Sequence, residues 1–230
     1  MLRSLRYGEA DRILHMYTPL HGRVSAIAKG VRKARSRFGG RLEPYFRLQV
    51  VLYEGRSDLL TVTSAETVAA YPRLREDARA LDGAARACEA VARVFDDGDP
   101  HAGVYHLLAN ELALLDADPG RAGRANALAF RLKLLLAAGF APHLATCAAC
   151  GEHEHLVGFS GAAGGVVCSA CEASAFGLDE AAHEFMVHAL GRPLADAPDA
   201  PPRALAQAER AILETLEHHA HLRLRPVASG

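Results

Sequence analysis

The first seventy residues alternate between apolar and polar positions. Arg12–Tyr17, Arg23–Ala28, Phe46–Tyr53 and Leu59–Thr63 are rich in Val, Ile, Leu, Tyr and Thr, with a partial period of two. That is the pattern of strands with one buried face. "TPLHG" and "EGRSD" supply turn chemistry between them. With Leu2–Arg6 as a first strand, the segment predicts five short strands in one unit, and a small barrel is the architecture that removes exposed sheet edges.

From Pro72 the period changes to three and four. Val104, Leu107, Leu108, Leu112 and Leu115 fall on one helical face. Arg124–Ala138 is apolar around most of its circumference, which predicts a central buried helix closed by Gly139. Two more helices are expected. One is Glu180–Leu190, with Asp179 as N-cap and Gly191 after it; the other is Arg203–His221, behind Pro201 and Pro202. "ADAPDAPP", from Ala195 to Pro202, reads as a surface linker, and no repeat of solenoid period occurs.

Composition adds little beyond a preference for packed helices, since alanine and leucine dominate the apolar half and tryptophan is absent. Charge adds more. The formal net charge is -1, yet residues 1–80 hold 15 Lys+Arg against 8 Asp+Glu, or +7. The remaining 150 residues hold 11 against 19, or -8. This asymmetry points to a polyanion-facing domain joined to an acidic body. The longest apolar run, Leu132–Ala141, contains Lys133 and Gly139 and falls short of the ~20 residues of a membrane span. "MLRSLRYGEADR" carries charges where a signal peptide has its apolar region, so a cytoplasmic location without membrane association is expected.

The basic charge concentrates in "KGVRKARSRFGGR", where Lys29, Arg32, Lys33, Arg35, Arg37 and Arg41 occupy six of thirteen positions and no acid intervenes. Their spacing is too irregular for one helix face, and Gly30, Gly39 and Gly40 oppose a helix. The stretch therefore forms a long connection between the third and fourth strands, and such connections carry function more often than architecture. Cations packed this closely repel one another unless a polyanion neutralises them. Phe38 among them is placed to stack on a base, and the glycines let backbone approach a strand. A merely solvated loop is the plain alternative.

Cys147, Cys150, Cys168 and Cys171 form two C-x2-C pairs separated by seventeen residues, a spacing that marks a structural zinc site. Each tight turn aims two thiolates at one ion, and two turns complete a tetrahedron. Four thiolates close the coordination shell, which argues for a structural rather than a catalytic Zn2+. His143, His153 and His155 lie nearby but are not needed as ligands. Leu156, Val157, Phe159, Val166 and Val167 are the few large apolar residues between the pairs, so the metal is expected to staple a segment with little core of its own. Cys88, at helical spacing in "AARACEAVARVF", reads as a small buried apolar residue. His218, His219 and His221 read as surface histidines. No phosphate-binding loop of the form G-x-x-x-x-G-K-[ST] occurs, nor G-x-S-x-G, H-E-x-x-H or G-x-G-x-x-G.

"RYGEADRILHMYTPLHGRVSAIAKGVRKARSRFGGRLEPYFRLQVVLYEGRSDL" closely resembles the amino-terminal domain of the RecO family of bacterial DNA repair and recombination mediators. "FRLKLLLAAGFAPHLATCAACG" resembles that family's central helix and first zinc knuckle, and "GGVVCSAC" the second. The likeness runs from Leu2 to about Leu224. It implies an α+β multidomain protein: a five-stranded OB-fold barrel at 1–72, an α-helical domain at 73–146 and 172–230, and a four-cysteine zinc module inserted at 147–171. It also implies a role without catalysis. RecO-like proteins bind single- and double-stranded DNA, anneal complementary strands, and work with single-strand-binding protein and RecR to load the recombinase RecA. A location at the bacterial nucleoid follows from the same resemblance. Arg131 and Lys133 fall on the helix that in this family helps receive the acidic tail of single-strand-binding protein, as a basic rim to an apolar groove. The chain begins several residues short of the usual family start, and its carboxyl end keeps Arg223 and Arg225 without the fuller basic tail of many relatives. The rival readings are a zinc enzyme acting on nucleic acid, which the closed cysteine set opposes, and an interaction scaffold whose basic loop meets an acidic protein.

Overall fold

A computed structural model describes residues 1–55 and 59–227; most of the "EGRSD" turn thus lies outside the described residues. Five strands open the chain: β1 (Arg3–Tyr7), β2 (Asp11–Thr18), β3 (Gly22–Ala28), β4 (Arg47–Tyr53) and β5 (Leu60–Ala69). Alternation located the last four, the added first strand, Leu2–Arg6, falls within one residue of β1, and β5 runs six residues beyond its expected end. They form one sheet in the order β1-β2-β3-β5-β4, antiparallel except where β3 meets β5. Leu14, Met16, Ala26, Ala28, Val62 and Ala65 point to one side and form its core.

The expected barrel is not closed. β1 and β4 stand at opposite edges of the sheet, and no ladder joins them among the described residues. In place of a ladder, two hydrogen bonds lie just ahead of both strands. The Met1 amine donates to the Phe46 carbonyl at 2.6 Å, and the Tyr45 N–H donates to the Met1 carbonyl at 2.9 Å. All five residues of β1 are paired with β2, and the link to β4 is made before either strand begins.

Three helices follow: α1 (Pro72–Glu76), α2 (Ala78–Val94) and α3 (Ala102–Ala117). Asp77 caps α2 by accepting from the N–H groups of Arg79 and Ala80. These helices belong with the sheet, because the compact units of the chain divide after Pro119. The join is polar and specific. Arg23 on β3 pairs with Asp97 at 2.5 Å and donates to the Ala92 carbonyl. Tyr17 donates to the Asp99 carbonyl at 3.3 Å. Gly22 has φ +59, and a Cβ there would collide with the Asp99 backbone, so no other residue fits this hairpin end.

The second unit is built on α4 (Arg124–Ala137), α5 (Glu180–Gly191) and α6 (Pro202–Thr215). Leu128, Phe130, Leu132, Leu134 and Leu135 of α4 are buried, as its all-round apolar pattern requires. Gly139, at φ +79, ends α4, and the Phe140 N–H reaches back to the Leu135 carbonyl at 2.8 Å. Asp179 caps α5 through the Ala182 N–H at 2.9 Å. Gly191 is the last residue of α5 rather than the one after it. The final helix ends at Thr215 and widens into a π-turn over Leu216–Ala220, short of the expected His221. Inserted between α4 and α5 is a small three-stranded sheet in the order β7-β6-β8, made of β6 (Leu156–Ser160), β7 (Gly165–Cys168) and β8 (Phe176–Gly177). No helix among the described residues is long and apolar enough to cross a membrane.

Candidate metal centre and nucleic-acid interface

The four cysteines converge. The sulfurs of Cys147, Cys150, Cys168 and Cys171 all lie within 4.8 Å of one another, and Cys150 and Cys168 are 3.7 Å apart. A zinc ion with Zn–S bonds of ~2.3 Å needs sulfurs on a tetrahedron of edge about 3.8 Å. A disulfide would need ~2.05 Å, and none forms. Each pair rests on a tight turn: the Gly151 N–H donates to the Cys147 carbonyl at 2.8 Å, and the Cys171 N–H to the Cys168 carbonyl at 2.9 Å. Gly151, at φ +83, takes the conformation this first turn demands. The second pair sits at the end of β7, held by the β6–β7 hairpin.

The electrostatics suit a cation. Backbone N–H groups, first that of Cys168 and then those of Cys150 and Ala149, favour the Cys147 thiolate and draw its pKa down to about 6. Cys171 is driven the other way, to about 12, by the neighbouring sulfurs of Cys150 and Cys168. Four sulfurs at this separation cannot all be thiolates without a positive ion among them. The donor set therefore fits Zn2+, which would lock the turns together and leave no open coordination position for a water. Around the sulfurs, Val167, Leu156 and Ala175 give a core of only a few side chains. Cys88 is apart from the cluster, 2% exposed, with its thiol pushed by burial to about 12. His218, His219 and His221 form no metal-binding group among the described residues; His219 bonds the Gly161 carbonyl at 2.7 Å.

The connection between β3 and β4 has no helix or strand. It is a succession of turns, with i+3 N–H groups returning to Gly30, Lys33, Ser36 and Phe38 carbonyls. It is nevertheless pinned. The Gly30 N–H donates to the Asp11 carboxylate at 2.7 Å, the Arg32 N–H to the Ala10 carbonyl at 2.9 Å, and Arg37 Nη2 to the Val62 carbonyl at 3.1 Å. Lys29, Arg32, Lys33, Arg35, Arg37 and Arg41 are all exposed. Among the described residues none of these six makes an ion pair. Arg37 and Arg41 line an open groove with Thr63, Ser64 and Glu66 of β5.

Phe38 departs from its expected role. Its ring is 2% exposed and packs with Leu42 into the sheet core. A ring so covered has no face for a base, so Phe38 is the connection's anchor. Arg37 lies over it, 4.8 Å from the ring centroid.

Arg131 and Lys133 also depart from theirs. Arg131 is 5% exposed. It pairs with the buried Glu209 of α6 at 3.6 Å and donates to the Arg225 carbonyl at 2.6 Å, while Arg124 reaches the same carboxylate at 2.7 Å. A guanidinium held inside an ion cluster cannot form the rim of a peptide groove. Lys133 is half-buried, and burial lowers its pKa. Its ammonium donates to the Leu190 and Arg192 carbonyls, neutralising the C-terminal end of α5. Glu209, the acid that makes α4's arginine tolerable, is the residue that sequence patterning missed.

The amino-terminal 71 residues match the family model for the N-terminal part of recombination protein O, and residues 75–226 match the model for its C-terminal part. The chain belongs to the RecO family. Proteins called DNA repair protein RecO are similar to it across this range. That of Rubrobacter xylanophilus is 42% identical over 177 residues, 76% of this chain and 70% of the relative. That of Anaeromyxobacter sp. strain K is 37% identical over 234 residues, 97% of this chain and 91% of the relative. In this RecO chain the family boundary falls at α1, whereas compactness places α1–α3 with the sheet.

Proposed function

We propose that the chain is a DNA-binding recombination mediator that works without catalysis. It holds single- and double-stranded DNA through Lys29, Arg32, Lys33, Arg35, Arg37 and Arg41, and anneals complementary strands without ATP. With single-strand-binding protein and RecR as partners, it helps load RecA onto coated DNA in the bacterial cytoplasm, at the nucleoid. The observation that carries this reading is the pinned connection with six exposed cations, none of them paired to an acid among the described residues.

The mechanism is electrostatic. Binding phosphates releases counterions, so affinity falls steeply with salt and depends little on sequence. Two strands held on one cationic surface have their mutual repulsion screened, which permits pairing. The metal centre supports this indirectly, by fixing the small sheet of the second unit.

The test is binding of a labelled single-stranded oligonucleotide across a salt series, with annealing of its complement followed in the same samples. Salt-steep, sequence-indifferent binding with annealing is expected. Negligible binding at low salt would return the cations to solvent and make an acidic protein the partner to seek.

A further inference from the structure

Resting on the nucleic-acid reading above, we infer that unpaired bases stack on Tyr53, on the outer face of β4, while Arg37 and Arg41 hold the adjoining phosphates. The site this assigns is specific for single strands, and it lies on residues that the sequence patterning treated as ordinary strand positions.

The placement follows from register. Leu48, Val50 and Leu52 of β4 pack toward the core, so Val51 and Tyr53 face outward. Val51 is 57% and Tyr53 62% exposed. An aromatic ring left so bare on a sheet costs apolar exposure that nothing among the described residues of its own unit recovers. Tyr53 stands opposite Thr61 and Val51 opposite Ser64 on β5. Thr63 donates to the Val51 carbonyl at 2.9 Å. Thr63 and Ser64 in turn form the wall of the groove that Arg37 and Arg41 line. β5 thus joins the two features: β4, with Tyr53, is hydrogen-bonded along it, its Thr63 and Ser64 wall the groove, and Arg37 donates to its Val62 carbonyl.

That pairing of features selects a ligand. A surface with cations alone accepts any polyanion, including duplex. A surface with an exposed ring beside the cations also needs flat apolar groups next to the phosphates. Only a strand whose bases are unpaired offers them, because duplex bases face each other inside. Acidic peptide, the rival polyanion, has no obligatory flat group beside each charge. Phe38 cannot serve this purpose, since its ring is in the core. Glu66 at the groove's far side disfavours a phosphate there and so directs the strand toward Tyr53.

The experiment compares a short dT oligonucleotide with a backbone of equal length and charge that lacks bases. Both are titrated at low salt into the full chain and into its Tyr53→Ala and Tyr53→Phe variants. The expected result is that Tyr53→Ala lowers dT affinity about fivefold to a hundredfold, leaves the abasic strand unchanged, and is rescued by Tyr53→Phe. With no tryptophan and six tyrosines in the chain, quenching of tyrosine emission by dT but not by the abasic strand is a second readout. Equal affinity of the wild-type chain for both ligands would overturn this inference and leave the electrostatic grip intact. So would a Tyr53→Ala loss that is equal for both. No binding of either ligand would overturn both.

Discussion

Replacing Phe38 with alanine distinguishes a ring that anchors the cationic connection from one that touches DNA. The side chain is 2% exposed and packs against a core that includes Leu14, Leu42 and Val62. Truncating a fully buried Phe costs about 3–5 kcal/mol, and the lost ring contact of Arg37 adds about 0.5–1 kcal/mol. Against a domain stability of about 5–15 kcal/mol, that is a large fraction. The assay is native-state amide exchange of β2 and β3, read by mass spectrometry, because it reports this unit without assuming that both units unfold together. A combined loss of about 3.5–6 kcal/mol speeds globally limited exchange by roughly a few-hundred- to twenty-thousand-fold. Phe38→Leu, which keeps most of the volume, should cost under about 1.5 kcal/mol. Unchanged exchange in Phe38→Ala, together with weaker oligonucleotide binding, would refute the core assignment and restore the stacking role.

Other outcomes can be checked in parallel. Arg35→Glu with Arg37→Glu is expected to lower DNA affinity about tenfold or more at low salt and to flatten the salt slope by about one per cation, with an unchanged circular dichroism spectrum. Glu209→Ala strands the buried Arg131 charge and the half-buried Arg124 beside it and should destabilise the second unit by about 3–5 kcal/mol, measured by urea unfolding. Stripping metal with a strong chelator should open the two knuckles, Cys147–Cys150 and Cys168–Cys171, to limited proteolysis while α4 and α6 stay protected, because the sulfurs pack with little more than Val167, Leu156 and Ala175. In the same preparation four thiols should then react with a thiol reagent, and the fifth, Cys88, only after unfolding, since burial keeps it protonated.

The parts of this fold that a sequence shows are those written in short-range pattern. Alternation gave β2 to β5 because each buries part of one face, and two C-x2-C turns gave the four-sulfur cluster because thiolate geometry is local. That the sheet stays open was not legible, since it depends on how Met1 meets Phe46 ahead of the edge strands, not on the pattern of either strand. Phe38 was ambiguous by nature: one ring among cations reads equally as a stacking platform or as an anchor. Val31 and Leu42 on either side were the available sign, because both also pack on the core. Arg131 carried its own warning. A helix apolar around most of its circumference has little room for charge outside its packed faces, and a buried arginine requires an acid such as Glu209, which lies far along the chain.

The parallel pairing of β3 with β5, Ala26 with Leu60 and Ile27 with Thr61, has a kinetic consequence. These partners meet only after the whole cationic connection and β4 have been drawn into a closed loop, and non-local pairing of this kind sets the pace of folding. Closing that loop gathers six like charges before any ligand can neutralise them. Added salt screens this repulsion and should speed refolding of the first unit over the same range in which it weakens the hold on DNA. One set of residues then gives opposite ionic-strength dependences for folding rate and for affinity.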